Sequence, residues 1–152
     1  MGIGLDYGGI GGNFIVYPSK NVGVFAGFGI MSKTVGYNFG LKFRAISDKK
    51  PFKIFPFVTL MFGKNALIVV TNGGGLNKSF HGLTYGLGVD FAFKDIKQAY
   101  WSVGFLIPSR SDAYDDYKRE LRASNGVTFE KSDSPALFTL GYRIILGSKI
   151  KK

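Results

Sequence analysis

Residue types that could perform catalysis are scarce in this chain. His81 is the single histidine, and Ser79 and Ser102 are candidate nucleophiles by residue type alone. A serine nucleophile needs a general base within hydrogen-bonding distance, and a lone histidine near a predicted loop is more often an exposed polar residue. We therefore expect no catalytic residues and no enzymatic activity.

Metal and cofactor sites have equally little support. The chain has no cysteine and one histidine, which does not supply the ligands of a zinc site. Asp112, Asp115 and Asp116 could attract Ca²⁺, but their spacing is not that of an EF-hand loop, and the start of a helix explains them more simply. The glycine-containing stretches 73–75 and 86–88 lack the context of a phosphate-binding loop. We expect no metal and no cofactor.

The charge of the chain is strongly positive. Twenty Lys and Arg stand against ten Asp and Glu, for a formal net charge of +10. Nucleic-acid binding would require these cations to cluster on one face beside stacking aromatic side chains. They are instead spread along the sequence, many of them in predicted turns, so we expect no nucleic-acid partner.

No stretch of the sequence reaches the roughly 18 apolar residues of a membrane-spanning helix. A chain that spans a membrane without such helices must form a closed barrel, because backbone polar groups in lipid have to pair internally. The opening segment 1–10 is rich in glycine and lacks the basic start of a signal peptide. We expect that either a signal peptide or a first strand lies outside this sequence.

The dominant pattern is an alternation of large apolar residues with small or polar ones, which predicts β-strands with two different faces. Between Leu83 and Phe93 one face is entirely apolar, whereas the other consists of small residues and a single charge, Asp90. The first strand segment is glycine-rich and is either one bent strand or two short ones. The predicted strand segments are Gly2–Tyr17, Val22–Ile30, Val35–Ile46, Phe52–Val70, Ser79–Lys94, Gln98–Ile107 and Ala136–Leu146.

The predicted connections are of two lengths. Short polar turns occupy 18–21, 47–51 and 95–97, and longer connections occupy 71–78 and 108–135. If consecutive strands run antiparallel, the short turns fall at one end of the molecule and the longer connections at the other. This asymmetry is typical of outer-membrane barrels.

A short helix is predicted in the 109–134 loop, where Ser111 or Asp112 can cap a helix that runs through Ala123. Bacterial single-chain barrels have an even number of strands, so either the first segment supplies two strands or one N-terminal strand is missing. The prediction is an all-β fold: a closed, antiparallel, up-and-down β-barrel of about eight strands in a single domain, 1–152.

The composition of the two strand faces favours a transmembrane barrel. A water-facing surface normally bears many Lys, Glu and Asp, whereas here one face is rich in aromatic residues and the other in Gly, Ser and Thr. The alternative is a soluble barrel that binds a lipid or another apolar ligand, with Phe39, Phe43, Leu87, Phe91 and Tyr142 lining its interior. The side chains that we predict to face lipid are Tyr37, Phe39, Phe43, Tyr85, Leu87, Phe91, Trp101, Phe105, Phe138 and Tyr142.

Five charged residues fall on the faces that would then point into the barrel. Unpaired buried charges are costly, so we predict that these side chains form a network of ion pairs in the lumen. The alternative is that they lie near the ends of the barrel in contact with water. The five residues are Asp6, Lys42, Arg44, Asp90 and Arg143.

Several segments give the chain a family resemblance. The closing strand ALFTLGYRIIL resembles the terminal strand that the barrel-assembly machinery recognises, although it does not end on an aromatic residue and a basic tail follows. Over nearly all of its length, the sequence is similar to small outer-membrane β-barrel proteins of the kind common in Bacteroidetes. The other segments on which the resemblance depends are GIGLDYGGIGGNFIVYP, VGYNFGLKFR, PFVTL and WSVGFLIPSR.

This resemblance implies a location in the bacterial outer membrane, with the lipid bilayer and the barrel-assembly machinery as partners. It implies a structural or surface-interaction role rather than catalysis. The loops 71–80 and 109–134 would be the exposed contact surfaces.

Overall fold

The computed structural model describes residues 1–32, 34–45, 53–70, 76–92, 99–125 and 135–144. Eight strands form a closed barrel in which each strand pairs antiparallel with its neighbours in sequence and β8 pairs with β1. This confirms the predicted antiparallel barrel with a short helix. The elements are β1 Gly2–Gly4, a 3₁₀ turn Leu5–Tyr7, β2 Gly9–Val16, β3 Val22–Met31, β4 Thr34–Arg44, β5 Lys53–Ile68, β6 Lys78–Ala92, β7 Ala99–Pro108, α1 Asp112–Asn125 and β8 Leu137–Ile144.

The glycine-rich first segment forms two strands. β1 and β2 pair from Gly2 opposite Gly11 to Gly4 opposite Gly9, and the 3₁₀ turn joins them. Gly4, Gly8 and Gly9 have φ angles of 146°, 68° and 105°, which L side chains rarely adopt. The glycines therefore permit a sharp reversal that directs Leu5–Tyr7 into the barrel, where all three residues are buried.

The β5–β6 hairpin extends past its neighbouring strands. β4 pairs with β5 only as far as Asn38 opposite Gly63, whereas β5 and β6 remain paired to Ile68 opposite Lys78. A β-bulge between Lys64 and Ala66 marks the point at which the hairpin leaves the barrel. Bulges bend strands and increase their twist, so this bulge changes the direction of the hairpin end.

Helix α1 packs against the extended hairpin. The ring of Tyr114 meets that of Phe80 edge-on at 5.2 Å between centroids, and the Tyr117 hydroxyl donates to the carbonyl of Leu76 at 2.8 Å. Leu121 completes the buried helix face. We call the hairpin end, 64–68 and 76–81, together with α1 the loop platform. Among the described residues, no helix is long and apolar enough to cross a membrane.

Candidate functional site

The outer surface of the barrel is apolar. Eight of the ten side chains that we predicted to face lipid are between 37% and 55% exposed. The other two, Phe91 and Tyr142, occupy outward positions of the same strand pattern and are half-buried, Tyr142 by the neighbouring Trp101 ring at 5.2 Å. The structure thus places all ten on the outer face.

These side chains form a continuous band, which we call the apolar belt. On β4 it spans Val35–Phe43 and on β6 Leu83–Phe91, which is nine residues on each strand. In the described strands the outward positions within the belt include no Asp, Glu, Lys, Arg or His. The remaining parts of the belt are the outward positions of 10–16, 22–30, 54–62, 101–107 and 138–144, together with Ile3.

The inward face holds a buried ion pair toward the end of the barrel at which β4 and β6 finish. Lys42 on β4 donates from Nζ to Asp90 Oδ1 on β6 at 2.7 Å, and both side chains are almost completely buried. The ammonium also lies 3.3 Å from Ser102 Oγ and 3.7 Å from the centroid of the Phe57 ring. The charge of Lys42 is therefore matched by a carboxylate, a hydroxyl and an aromatic face.

A second buried ion pair joins the 3₁₀ turn to the last strand. Arg143 Nη2 lies 2.9 Å from Asp6 Oδ2, and Arg143 Nε donates to the Tyr7 hydroxyl at 2.9 Å. The hydroxyl of Thr139 donates to the other oxygen of Asp6. These contacts hold the inward-folded turn against β8.

One member of the predicted lumenal network lies elsewhere. The structure brings Lys42 to Asp90 and Arg143 to Asp6, but Arg44 is half-exposed at the end of β4. Its Nε donates to the carbonyl of Lys20 at 3.2 Å, and its guanidinium lies 3.9 Å from the centroid of the Tyr17 ring. The expectation that Arg44 joins the network was wrong, because Arg44 is close enough to the turn after β2 to remain in contact with water.

Several inward-facing positions must be glycine because of a close contact that the sequence did not indicate. A Cβ on Gly141 would lie 1.8 Å from the Tyr7 hydroxyl oxygen, and one on Gly27 would lie 2.0 Å from the carbonyl oxygen of Asp6. A Cβ on Gly36 would come within 2.1 Å of the carbonyl oxygen of Gly8. These positions form the socket into which the 3₁₀ turn fits.

The interior also contains an apolar cluster that sequence analysis did not single out. Leu5 of the 3₁₀ turn packs with Phe25, Met61 and Leu106, all of them buried. In the sequence these four are large apolar residues on strand faces that are otherwise small or polar. That pattern could equally indicate irregular strands. The soluble alternative requires Phe39, Phe43, Leu87, Phe91 and Tyr142 to line the interior. These side chains lie on the outer face of the barrel, so they do not line an interior cavity.

Among the described residues, no hydrogen bond joins His81 to Ser79 or Ser102, the serines considered as nucleophiles. His81 Nε2 is hydrogen-bonded to the Tyr37 hydroxyl at 2.9 Å on the outer face, whereas Ser102 lies inside beside Lys42. Asp116 pairs with Arg119 on the surface of α1. Within the described ranges, no group of three or more potential metal ligands is present.

The two loops expected to form contact surfaces are described in part. Residues 76–80 and 109–125 form or adjoin the loop platform. In these parts the two predicted contact surfaces pack against each other. The segments 71–75 and 126–134 of the predicted loops lie outside the described residues.

Comparison with known proteins adds no further assignment. No protein-family model, curated protein or solved structure matches this chain. The apolar belt, the interior and the loop platform are therefore the features that bear on function.

Proposed function

We propose that this chain is an integral β-barrel of a bacterial outer membrane, with a structural or surface-interaction role and with the loop platform as its contact surface. The observation on which the proposal depends is the apolar belt, which encircles the described barrel without a charged outward residue. A transmembrane β-strand needs about 9–11 residues when tilted. The nine-residue spans on β4 and β6 meet that length.

The extent of the belt supports lipid rather than water as its surroundings. Twenty-seven large hydrophobic residues are exposed in the described part of the chain, and nearly all of them are in the belt. The largest apolar patch on a soluble monomer is usually about 300–600 Å², whereas this belt continues around the barrel. Removing one such side chain from water is worth about 1.5–3 kcal/mol, so exposure of the whole belt to water would strongly favour aggregation.

The interior supports the same proposal. A soluble barrel that binds an apolar ligand needs an interior space for it. Here the 3₁₀ turn, the Lys42–Asp90 pair and the cluster of Leu5, Phe25, Met61 and Leu106 occupy the described interior. The arrangement is that of a lumen filled by side chains, which is expected for eight strands.

The connections support an orientation. β2–β3, β4–β5 and β6–β7 are joined at one end of the barrel, and the loop platform stands at the other. Outer-membrane barrels have short periplasmic turns and longer extracellular loops. The loop platform would therefore face the outside of the cell, and the barrel-assembly machinery would insert the chain from the periplasmic side.

Folding into lipid vesicles tests this function. Urea-unfolded chain diluted into phosphatidylcholine vesicles is expected to yield a compact form that migrates faster on an unboiled gel and is lost on boiling. The folded protein should float with the vesicles in a density gradient. A chain that folds in buffer, stays monomeric without detergent and fails to float would contradict the proposal.

A further inference from the structure

Polar side chains of three adjacent strands meet where the apolar belt ends at the loop side. Lys64 on β5 lies opposite His81 on β6 in the strand register, directly beyond the belt residues Phe62 and Leu83. The Tyr37 hydroxyl on β4 is hydrogen-bonded to His81 Nε2 at 2.9 Å, and Lys64 Nζ lies 5.7 Å from the centroid of the Tyr37 ring. We call Tyr37, Lys64 and His81 the rim cluster.

A cleft of about 120 Å³ opens next to the rim cluster. It lies where the β5–β6 hairpin separates from β4, and Lys64 bridges the separation by donating to the carbonyl of Val35 at 2.8 Å. Lys64 Nζ is also 3.2 Å from the Thr34 hydroxyl, so the ammonium is at the edge of the cleft. The lining residues are Thr34, Leu67, Val69, Asn77 and Ser79.

The chemistry of this cleft suits a phosphate group. The hydroxyls of Thr34 and Ser79 and the ammonium of Lys64 are donors, and no carboxylate is present among the residues of the lining and the rim cluster. Lysine binds phosphate as a point charge, and charge-assisted hydrogen bonds are the strong ones. Leu67 and Val69 make the rest of the lining apolar. The cleft therefore offers both hydrogen-bond donors for an anion and apolar side chains.

We propose that this cleft binds the phosphate of an anionic lipid headgroup, with the acyl chains of that lipid lying along the apolar belt below. The inference rests on the proposed membrane location, because only then does the cleft sit at the depth of the headgroups. Lys64 pairs with the phosphate, and the hydroxyls of Thr34 and Ser79 donate to its oxygens. The cleft, with Lys64 at its edge, thus selects one kind of lipid at one position around the barrel.

Native mass spectrometry of the vesicle-folded protein tests this site. Protein extracted from an equimolar mixture of phosphatidylglycerol and phosphatidylcholine is expected to retain phosphatidylglycerol preferentially. In Lys64→Gln the preference should fall about five-fold, the equivalent of about 1 kcal/mol for one cationic side chain near a membrane surface. Lys64→Arg should restore it.

Lys78→Gln is the matched control, since Lys78 is an exposed lysine of the same hairpin. Its Nζ lies 4.6 Å from the Tyr117 ring centroid, on the side facing α1. Equal loss in Lys78→Gln, or no lipid preference in the wild type, would overturn the proposal. Displacement of the lipid by millimolar inorganic phosphate, with equally tight binding of phosphate alone, would also overturn it.

The gel and flotation assay separates two kinds of failure. If the wild type does not insert into vesicles, the membrane function itself fails. If the wild type and Lys64→Gln both insert and float but retain the two lipids alike, the belt remains and only the lipid site is refuted.

Discussion

Substitution of Leu87 by arginine tests whether lipid or water surrounds the barrel. Leu87 lies at the centre of the belt on β6, is 53% exposed and is paired with Val58 and Phe105 on the neighbouring strands. An arginine at the midplane of a bilayer costs a barrel about 2–4 kcal/mol. The same change at an exposed position in water usually alters stability by about 0.5 kcal/mol or less.

Two further arginine substitutions provide controls. Leu83 lies on the same face of β6 at the loop end of the belt, where the cost of arginine falls to about 0–1 kcal/mol. Val69 is 42% exposed and follows Ile68, the last residue of β5, beyond the belt, so Val69→Arg should be close to neutral. The expected order of destabilisation is therefore Leu87→Arg, then Leu83→Arg, then Val69→Arg.

Equilibrium unfolding in guanidinium chloride, with the protein in phosphatidylcholine vesicles, measures these free energies. A cost of about 3 kcal/mol for Leu87→Arg corresponds to a change of about a hundred-fold in the unfolding equilibrium constant. If Leu87→Arg and Val69→Arg cost the same, or if Leu87→Arg is neutral in vesicle-bound protein, the belt does not contact hydrocarbon.

Three other predictions concern the interior and the loop platform. Gly141→Ala should destabilise the barrel by about 1–3 kcal/mol or more, measured by denaturant unfolding, because the new Cβ would meet the Tyr7 hydroxyl at 1.8 Å. Lys42→Met should cost about 3–5 kcal/mol by leaving Asp90 buried without its cation, again by denaturant unfolding. Tyr114→Ala should detach α1 from the hairpin, seen as faster proteolysis within α1, while the heat-sensitive compact form of the barrel persists.

Each of these has a matched control. Gly12→Ala should be tolerated, since a Cβ there meets nothing within 4 Å; equal costs at Gly12 and Gly141 would refute the socket. The double variant Lys42→Met/Asp90→Leu should recover most of the stability lost in Lys42→Met. Ala113→Ser, on the exposed side of α1, should leave proteolysis unchanged, and equal cleavage in Tyr114→Ala and the wild type would argue against the packing described.

Strand alternation predicted most of the barrel wall. Each side chain's face follows from its position in a period of two, so the ten outward residues could be named from the sequence. The predicted strand ends that lie within the described residues differed from the structure by only a few residues. The same period could not give the height of a residue along the barrel axis. Arg44 shares a face with Lys42, yet it lies at the end of its strand beside Tyr17 and Lys20.

Long-range packing accounts for what the sequence did not predict. The glycines at 27, 36 and 141 read as the small residues of a tight lumen, but their reason is the backbone of a turn distant in sequence. Tyr114, Tyr117 and Leu121 share a face of α1 because they are spaced three and four residues apart. That this face packs on the β5–β6 hairpin depends on the length of the hairpin beyond its neighbours, which a two-residue period does not specify.

Trp101 provides the most direct test of the central claim that lipid surrounds the belt. It is the single tryptophan of the chain, it lies on the outer face of β7 and it is 37% exposed. In vesicles made from lipids with brominated acyl chains, its fluorescence should be strongly quenched, while iodide in the aqueous phase should quench it little. Quenching by iodide with no effect of the brominated chains would contradict the account.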